Sequence, residues 1–122
     1  MIKIDSDKTI HLTRGDATNS INVLPVSIDN YTFQDGDTLS LVVFKKKGYT
    51  QTPVLTKTYE ISESAESYNL TLTSTDTSKF ELTNKKITYW YDLILNSNTT
   101  FVGFDEDSAK KFIVYPGGVL DE

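Results

Sequence analysis

Three residues near the start of the chain, Arg14, Gly15 and Asp16, form the tripeptide by which many extracellular proteins bind integrins, and Arg14 is the only arginine in the sequence. The tripeptide also suits a turn, because it lies between the apolar-alternating segments "TIHLT" and "SINVLPVSI". There Gly15 provides a positive φ without steric cost, and the Asp16 carboxylate is expected to accept from backbone amides two residues on, near Thr18. A structural turn therefore explains the tripeptide without a receptor.

A second glycine–aspartate pair supports this interpretation. Gly36 and Asp37, in "FQDGDTLSLVV", also stand directly before an apolar segment, and no arginine precedes them. Because the pair recurs at the same place relative to a strand, a turn accounts for both occurrences. We predict structural turns at both sites and keep integrin binding as a subordinate hypothesis.

Residues that could support catalysis or hold a cofactor are few. The single histidine, His11, lies in a predicted strand with no neighbouring serine nucleophile, and the chain has no cysteine. The sequence contains no phosphate-binding or dinucleotide-binding glycine motif and no histidine pair at metal-ligand spacing. We therefore predict a protein that is not an enzyme, with no catalytic residue, no cofactor and no metal.

One acidic run is a candidate for calcium, which prefers several oxygen ligands. The run "FDEDS" at residues 104–108 carries three carboxylates but lacks the glycine and the distal glutamate of an EF-hand loop. We predict a solvated hairpin tip there, and a matching basic tip at Lys45, Lys46 and Lys47 that keeps a sheet edge soluble.

The aromatic run Tyr89, Trp90 and Tyr91, followed by Asp92, has two interpretations. Flat rings beside an acid suit a sugar-binding platform, and large aromatic side chains also suit a core. Along a strand Tyr89 and Tyr91 point to one side and Trp90 to the other, so the three rings cannot line one surface. We favour core residues and keep sugar binding as the alternative.

Charge excludes two classes of partner. The formal net charge is -5, whereas nucleic acid and anionic membranes attract positive charge. The N-terminal "MIKIDSDKTI" has a charge every two or three residues and so lacks the apolar centre of a secretory signal, and no stretch approaches membrane-spanning length. We expect synthesis in the cytoplasm without a signal peptide, and neither nucleic acid nor membrane as a partner.

The apolar period along the chain is two, as a strand buried on one face requires. The clearest rows are Leu39, Leu41, Val43; Tyr68, Leu70, Leu72; Ile87, Tyr89, Tyr91, Leu93, Leu95; and Phe112, Val114. Turn signals separate the rows, and the spacing predicts an all-β fold, an immunoglobulin-like antiparallel β-sandwich of about seven to nine strands. Pro25 interrupts its own row, which indicates a bulge or an edge strand.

One segment, "STDTSKFEL", predicts a short helical turn near residues 75–80, capped by Ser74 or Thr75. Residues 1–116 are predicted to form a single β-sandwich domain, because 122 residues suit one core. Pro116 ends the last strand, and residues 117–122 are expected to be an exit segment or the start of a linker.

Four stretches occur in a characteristic order: "LTRGDATNSINV", "YTFQDGDTLSLVVFKK", "LTSTDTSKFELTNKKITYWYDLIL" and "KKFIVYPGG". In this order the chain resembles, from about residue 9 to 118, the N-terminal domain of bacteriophage baseplate upper proteins. The shared features are a Thr-Arg-Gly-Asp turn, a Gly-Asp pair before an apolar strand that ends in lysines, and an Asp-Thr turn before a tyrosine-rich strand.

The resemblance implies a small β-sandwich that attaches to the tail baseplate of a phage or prophage of a Gram-positive host. It implies a non-enzymatic structural role in the virion tail, with other tail or baseplate proteins as partners and assembly into homo-oligomers, commonly trimers. The alternative function is a carbohydrate-binding β-sandwich module on a phage tail or cell surface.

Overall fold

The computed structural model describes residues 1–46, 52–102 and 110–117. Within these ranges the chain forms nine strands and one short helix, and no helix there is long and apolar enough to cross a bilayer. The elements are β1 (Ile2–Ile4), β2 (Ile10–Thr13), β3 (Leu24–Val26), β4 (Thr38–Phe44), β5 (Leu55–Glu60), β6 (Tyr68–Leu70), α1 (Ser74–Thr77), β7 (Ile87–Leu95), β8 (Thr99–Val102) and β9 (Lys110–Tyr115).

Seven strands form one curled sheet in the order β1-β2-β9-β7-β4-β5, and β8 pairs with the second half of β7. The predicted all-β class and the number of strands are confirmed. The sheet is mixed and not purely antiparallel, because β2 and β9 run parallel, with Ile10 beside Phe112 and Leu12 beside Val114. A parallel pair joins segments that are distant in sequence, so no local turn signal announces it.

The second sheet contains only β3 and β6, paired antiparallel with Leu24 opposite Leu70 and Pro25 opposite Asn69. Pro25 is exposed while Leu24 and Val26 are buried. An edge position tolerates a residue that has no amide to donate, so the expectation that Pro25 marks an edge strand is confirmed.

The core lies between the two sheets and follows the alternation of the strands. On β7 the side chains of Tyr89, Tyr91 and Leu93 are at most 2% exposed, whereas Trp90 and Ile94 on the opposite face are half-buried. Their inward neighbours come from β2, β4 and β9 and from the small sheet: Ile10, Leu12, Leu24, Leu39, Leu41, Val43, Leu70, Phe112 and Val114. The period of two is thus the pattern that builds the core.

Helix α1 is the short helical turn expected before β7, but it begins and ends earlier than the predicted residues 75–80. Its N-cap is Thr73, and neither Ser74 nor Thr75 caps it. The Thr73 hydroxyl accepts from the Asp76 amide at 3.1 Å, and the Asp76 carboxylate accepts from the Thr73 amide at 2.9 Å. This reciprocal capping box requires an acidic or amide side chain three residues after the cap, and only Thr73 satisfies that spacing.

Strand β1 was not among the expected strands. It pairs antiparallel with β2, and the turn between them places Lys8 at a φ of 73°. The hydroxyl of the core residue Tyr91 donates to the Lys8 carbonyl oxygen at 2.5 Å, which anchors this turn to β7. The sequence did not predict this strand, because charged residues occur every two or three positions in the N-terminal segment and only Ile2 and Ile4 are apolar.

Candidate functional site

The tripeptide at residues 14–16 forms a turn whose arginine is occupied inside the fold. Gly15 has a φ of +92°, as the sequence predicts. The Arg14 guanidinium donates through Nε to the Phe80 carbonyl oxygen at 2.9 Å and through Nη2 to the Ser78 carbonyl oxygen at 2.8 Å. Both acceptors follow α1, so Arg14 satisfies carbonyls left open where the helix ends.

The backbone of the same turn is attached to α1 by one side chain. Thr77 is fully buried, and its Oγ1 accepts from the Gly15 amide at 2.9 Å and donates to the Asp16 carbonyl oxygen at 2.8 Å. The helix therefore holds the turn through a donor and an acceptor on one hydroxyl. This contact joins residues about sixty positions apart, and the sequence contains no signal for it.

The predicted role of the Asp16 carboxylate is wrong. The Thr18 amide, its expected donor, bonds instead to the Leu72 carbonyl oxygen at 2.9 Å. The Asp16 carboxylate forms an ion pair with the amino group of Met1, on the side of the turn that faces β1. Asp16 and Arg14 are thus directed at different parts of the same molecule.

The end of the domain packs against this turn as well. The Arg14 amide donates to the Tyr115 carbonyl oxygen at 2.9 Å, which continues the parallel pairing of β2 and β9. Beyond Tyr115, a Cβ placed on Gly117 would lie 2.5 Å from the Arg14 carbonyl oxygen. Three of the four stretches that carry the resemblance therefore meet at one end of the sandwich. Of the predicted exit segment only Gly117 lies within the described residues.

The second glycine–aspartate pair, Gly36 and Asp37, is the centre of another cluster of hydrogen bonds. Gly36 has a φ of +98°, and its amide donates to the Ile61 carbonyl oxygen at 2.8 Å. The Asp37 carboxylate accepts from the Tyr31 hydroxyl at 2.6 Å and from the Gln34 amide at 2.9 Å. It also accepts from the side-chain amide of Asn96 at 3.1 Å, in the turn between β7 and β8.

These hydrogen bonds stabilise the charged form of Asp37. The Tyr31 hydroxyl makes the largest contribution to lowering the pKa of Asp37, followed by the Gln34 amide and the Asn96 side chain. The same contact raises the pKa of Tyr31. The predicted structural turn at Gly36 and Asp37 is therefore a charged anchor that ties three loops together.

The aromatic run on β7 does not form a sugar-binding platform. Tyr89 and Tyr91 are 2% and 1% exposed and belong to the core, and Trp90 alone faces outward. Burial raises the pKa of Tyr91, as expected for a phenol whose charged form would be desolvated. The predicted division of the three rings between two faces is what the strand produces.

The outward face of the large sheet carries a band of half-buried apolar side chains, which we name the outer row. Its members alternate with core residues on β4, β7 and β9, and they are Val42, Trp90, Ile94, Ile113 and Tyr115. Phe44 and Asp92 lie on the same face and are buried. The period of two predicted that Trp90 points away from Tyr89 and Tyr91, and the structure places Trp90 in this band.

His11 takes part in a chain of three side chains that the sequence did not predict. Its Nε2 lies 2.8 Å from Oδ2 of Asp5, and its Nδ1 lies 3.0 Å from the Tyr115 hydroxyl, on whose ring the imidazole stacks. With the Nε2 proton donated to Asp5, Nδ1 accepts from the phenol. Tyr115 lies 104 positions after His11, and the contact attaches the β1–β2 turn to β9.

Two shallow cavities lined by described residues lie beside the small sheet. The larger, about 330 Å³, is lined by polar residues and one ring, chiefly Asp29, Asn30, Tyr31 and Glu66. Within the described residues no three acidic or histidine side chains cluster as metal ligands would. The acidic run predicted as a hairpin tip at 104–108 lies outside the described residues, and so does Lys47 of the basic tip.

Comparison with known proteins found no matching family model, no matching curated protein and no matching solved structure.

Proposed function

We propose that this protein is a non-enzymatic structural component of a phage or prophage tail baseplate, and that it mediates attachment between tail proteins. The proposal rests on the order of the four stretches that resemble baseplate upper proteins. The observation that carries it furthest is the convergence of these stretches: the turn at Arg14 bonds both to the segment around α1 and to the end of β9. Because stretches that carry the resemblance are also bonded to one another, we take them as the structural framework of the domain.

The outer row suits the proposed attachment. Val42, Trp90, Ile94, Ile113 and Tyr115 give a sheet face an apolar centre, and exposed Thr56, Thr58, Thr88 and Lys111 surround it with polar groups. An apolar centre rich in aromatic residues and bordered by polar ones is typical of protein–protein interfaces. We therefore propose the outer row as the surface that meets another tail protein.

Immunogold electron microscopy on induced phage particles, with antibody raised against this domain, tests the assignment. Gold at the tail tip is the expected result. Intact particles without gold, when a baseplate protein is labelled on the same grids, would overturn the tail assignment.

A pair of variants tests the surface. Ile113→Lys places a charge in the outer row, whereas Thr75→Lys places the same charge on an exposed residue of α1, outside the outer row and its polar border. Particles assembled with the Ile113→Lys variant should lack the protein, and those with the Thr75→Lys variant should retain it. Circular dichroism of both purified variants controls for folding. Equal incorporation of two folded variants would reject the outer row as the attachment surface.

Carbohydrate binding is the second candidate, and the larger cavity now carries it in place of the aromatic run. Tyr31 contributes a ring that its hydroxyl bond to Asp37 holds in place, and the carboxylates of Asp29 and Glu66 are acceptors for sugar hydroxyls. Saturation-transfer NMR with cell-wall saccharides should show transfer to wild type that the Glu66→Gln variant reduces. Absence of transfer to wild type across the saccharide panel would remove this candidate.

A further inference from the structure

Both strands of the small sheet lie in stretches of the chain that contain no charged residue. Charged residues make up 24% of the sequence, but residues 17–28 and 67–75 contain none. The first run includes β3 and the second includes β6, and these strands pair with each other. The outward face of the small sheet is therefore an uncharged patch on a protein whose net charge is -5.

This patch displays unusual apolar exposure. Ile21 is 83% exposed, the largest value for a large hydrophobic side chain among the described residues, and Val23 nearby is 41% exposed. Neither side chain contributes to the core in this molecule. An exposed isoleucine does not contribute the free energy that its burial would provide. A partner surface that buries Ile21 therefore gains that stabilisation.

The loop that carries Ile21 is held in shape by its own hydrogen bonds. The Asn19 side-chain oxygen accepts from the amides of Ile21 and Asn22 at 2.8 and 3.0 Å, and the Asn19 amide donates to the Asn22 carbonyl oxygen at 3.0 Å. The Asn22 side chain accepts in turn from the Ile2 amide at 3.3 Å. The loop is thus preorganised, and little ordering is needed when Ile21 enters a partner.

A complementary cavity lies beside the same loop. It measures about 150 Å³, and its lining includes Val23 from the loop, Asn69 and Leu70 from β6, and Thr71 directly after β6. A cavity of about this size accommodates a group as large as benzene. An isoleucine side chain is of comparable size, so the patch contains both a projecting apolar group and a recess that fits it.

We propose that two copies of this chain associate through the small-sheet patch, defined by Ile21, Val23, β3 and β6, with Ile21 of each copy seated in the cavity of the other. A two-fold contact uses the same patch on both copies, and it therefore needs a projection and a recess on one surface. Two copies that each carry a charge of -5 repel, and the uncharged patch lets them meet without opposing like charges. The contact does not use the outer row, which lies on the other sheet.

Sedimentation equilibrium of the purified protein tests this self-association directly. Wild type should pass from one copy to two as its concentration rises from about 1 µM to about 1 mM, a range that covers weak to moderate affinities. Added salt should not weaken the dimer, because its contact contains no ion pair. A protein that stays monomeric over the whole range would overturn the proposal, and so would the trimers that the resemblance implies.

Three variants locate the contact. Ile21→Lys and Asn69→Lys place a charge on the projecting group and at the recess, and each should raise the dimer dissociation constant by at least tenfold. Leu82→Lys is the matched control, because Leu82 is 63% exposed outside the patch; its dissociation constant should equal that of wild type. Ile21 and Asn69 are both exposed, and unchanged melting temperatures would verify folding. A dimer that survives Ile21→Lys in a folded protein contradicts the proposal.

The measurement does not depend on the phage assignment. Gold-labelled tails from a protein that is monomeric in solution would leave the proposed function intact and reject the two-fold contact. A dimer that Ile21→Lys abolishes, together with particles that carry no gold, would do the reverse.

Discussion

Individual side chains at the two glycine–aspartate turns act as internal fasteners. Arg14 bonds to the carbonyl oxygens of Ser78 and Phe80, and Asp16 faces the opposite side of the turn. An integrin ligand must offer its arginine and aspartate to the receptor, whereas here the guanidinium is already used to satisfy the residues after a helix. The geometry therefore favours the structural interpretation of the tripeptide.

The stability cost of replacing Gly15 should depend on how readily the new residue adopts a positive φ. A Cβ at Gly15 would meet nothing within 4 Å, so the cost arises from its φ of +92° alone. Gly15→Val should lower the free energy of unfolding by roughly 1 kcal/mol or more, and Gly15→Asn by less, because asparagine tolerates positive φ. Urea unfolding of both variants measures this order. Equal losses would show that the conformation of the turn is not the cause.

Asp37 should make the protein sensitive to acid. Its pKa is lowered in the fold, so its stabilisation is complete above the ordinary value of 3.8 and is lost as the pH falls below that value. The Asp37→Asn variant should be less stable than wild type at neutral pH, and the difference should shrink on acidification. Urea unfolding at about pH 7, 4 and 2.5 tests this. A difference that is constant over these conditions would contradict the ionised anchor.

Strand β7 shows that one alternating pattern supplies both core residues and residues of the outer row. Strand β7 directs Tyr89, Tyr91 and Leu93 into the core and Trp90 and Ile94 into the outer row. Strand β9 on one side and β4 on the other repeat this division in register with it. An element that is apolar on both faces is therefore central in the sheet and also contributes to a surface.

Helix α1 has only four residues, so its formation relies on its cap. Thr73→Ala removes the hydroxyl that accepts from the Asp76 amide, and we expect a loss of about 1 kcal/mol in the free energy of unfolding. Thr75→Ala changes an exposed residue of the same helix without touching the cap. Thermal unfolding of the two variants should therefore separate them. Equal melting temperatures would argue against the capping box as a stabilising contact.

At the scale of the whole molecule, the two sheets differ in how firmly they are held. Strand β7 is bonded along both edges, by β4 on one side and by β8 and β9 on the other, whereas the small sheet has two strands of three residues each. Two-stranded sheets are marginal by themselves and depend on packing against the rest of the fold. The small sheet should therefore be the first of the two to open.

Hydrogen exchange followed by mass spectrometry measures this difference. Peptides that cover β4 and β7 should exchange only on global unfolding, and peptides that cover β3 and β6 should exchange through smaller openings. The measurement is made at low concentration, where the proposed dimer is dissociated. Protection of β3 and β6 equal to that of β7 would contradict a small sheet of lower stability.

The sequence by itself determined the features that depend on neighbours along the chain. Alternation placed Tyr89 and Tyr91 on one side and Trp90 on the other, glycine marked the positive φ of Gly15 and the turn at Gly36, and proline marked a bulge or an edge strand. These properties follow from local sterics and from the two-residue repeat of a strand.

Only the tertiary structure decided which distant segments meet. The parallel pairing of β2 with β9, the bonds from Arg14 to the residues after α1, and the bond from His11 to Tyr115 join positions separated by 64 to 104 residues. The helix cap is Thr73 and not the predicted Ser74 or Thr75, because the spacing of Thr73 to Asp76 permits the reciprocal hydrogen bonds. The packing of the buried faces determines these contacts, and composition and periodicity do not predict them.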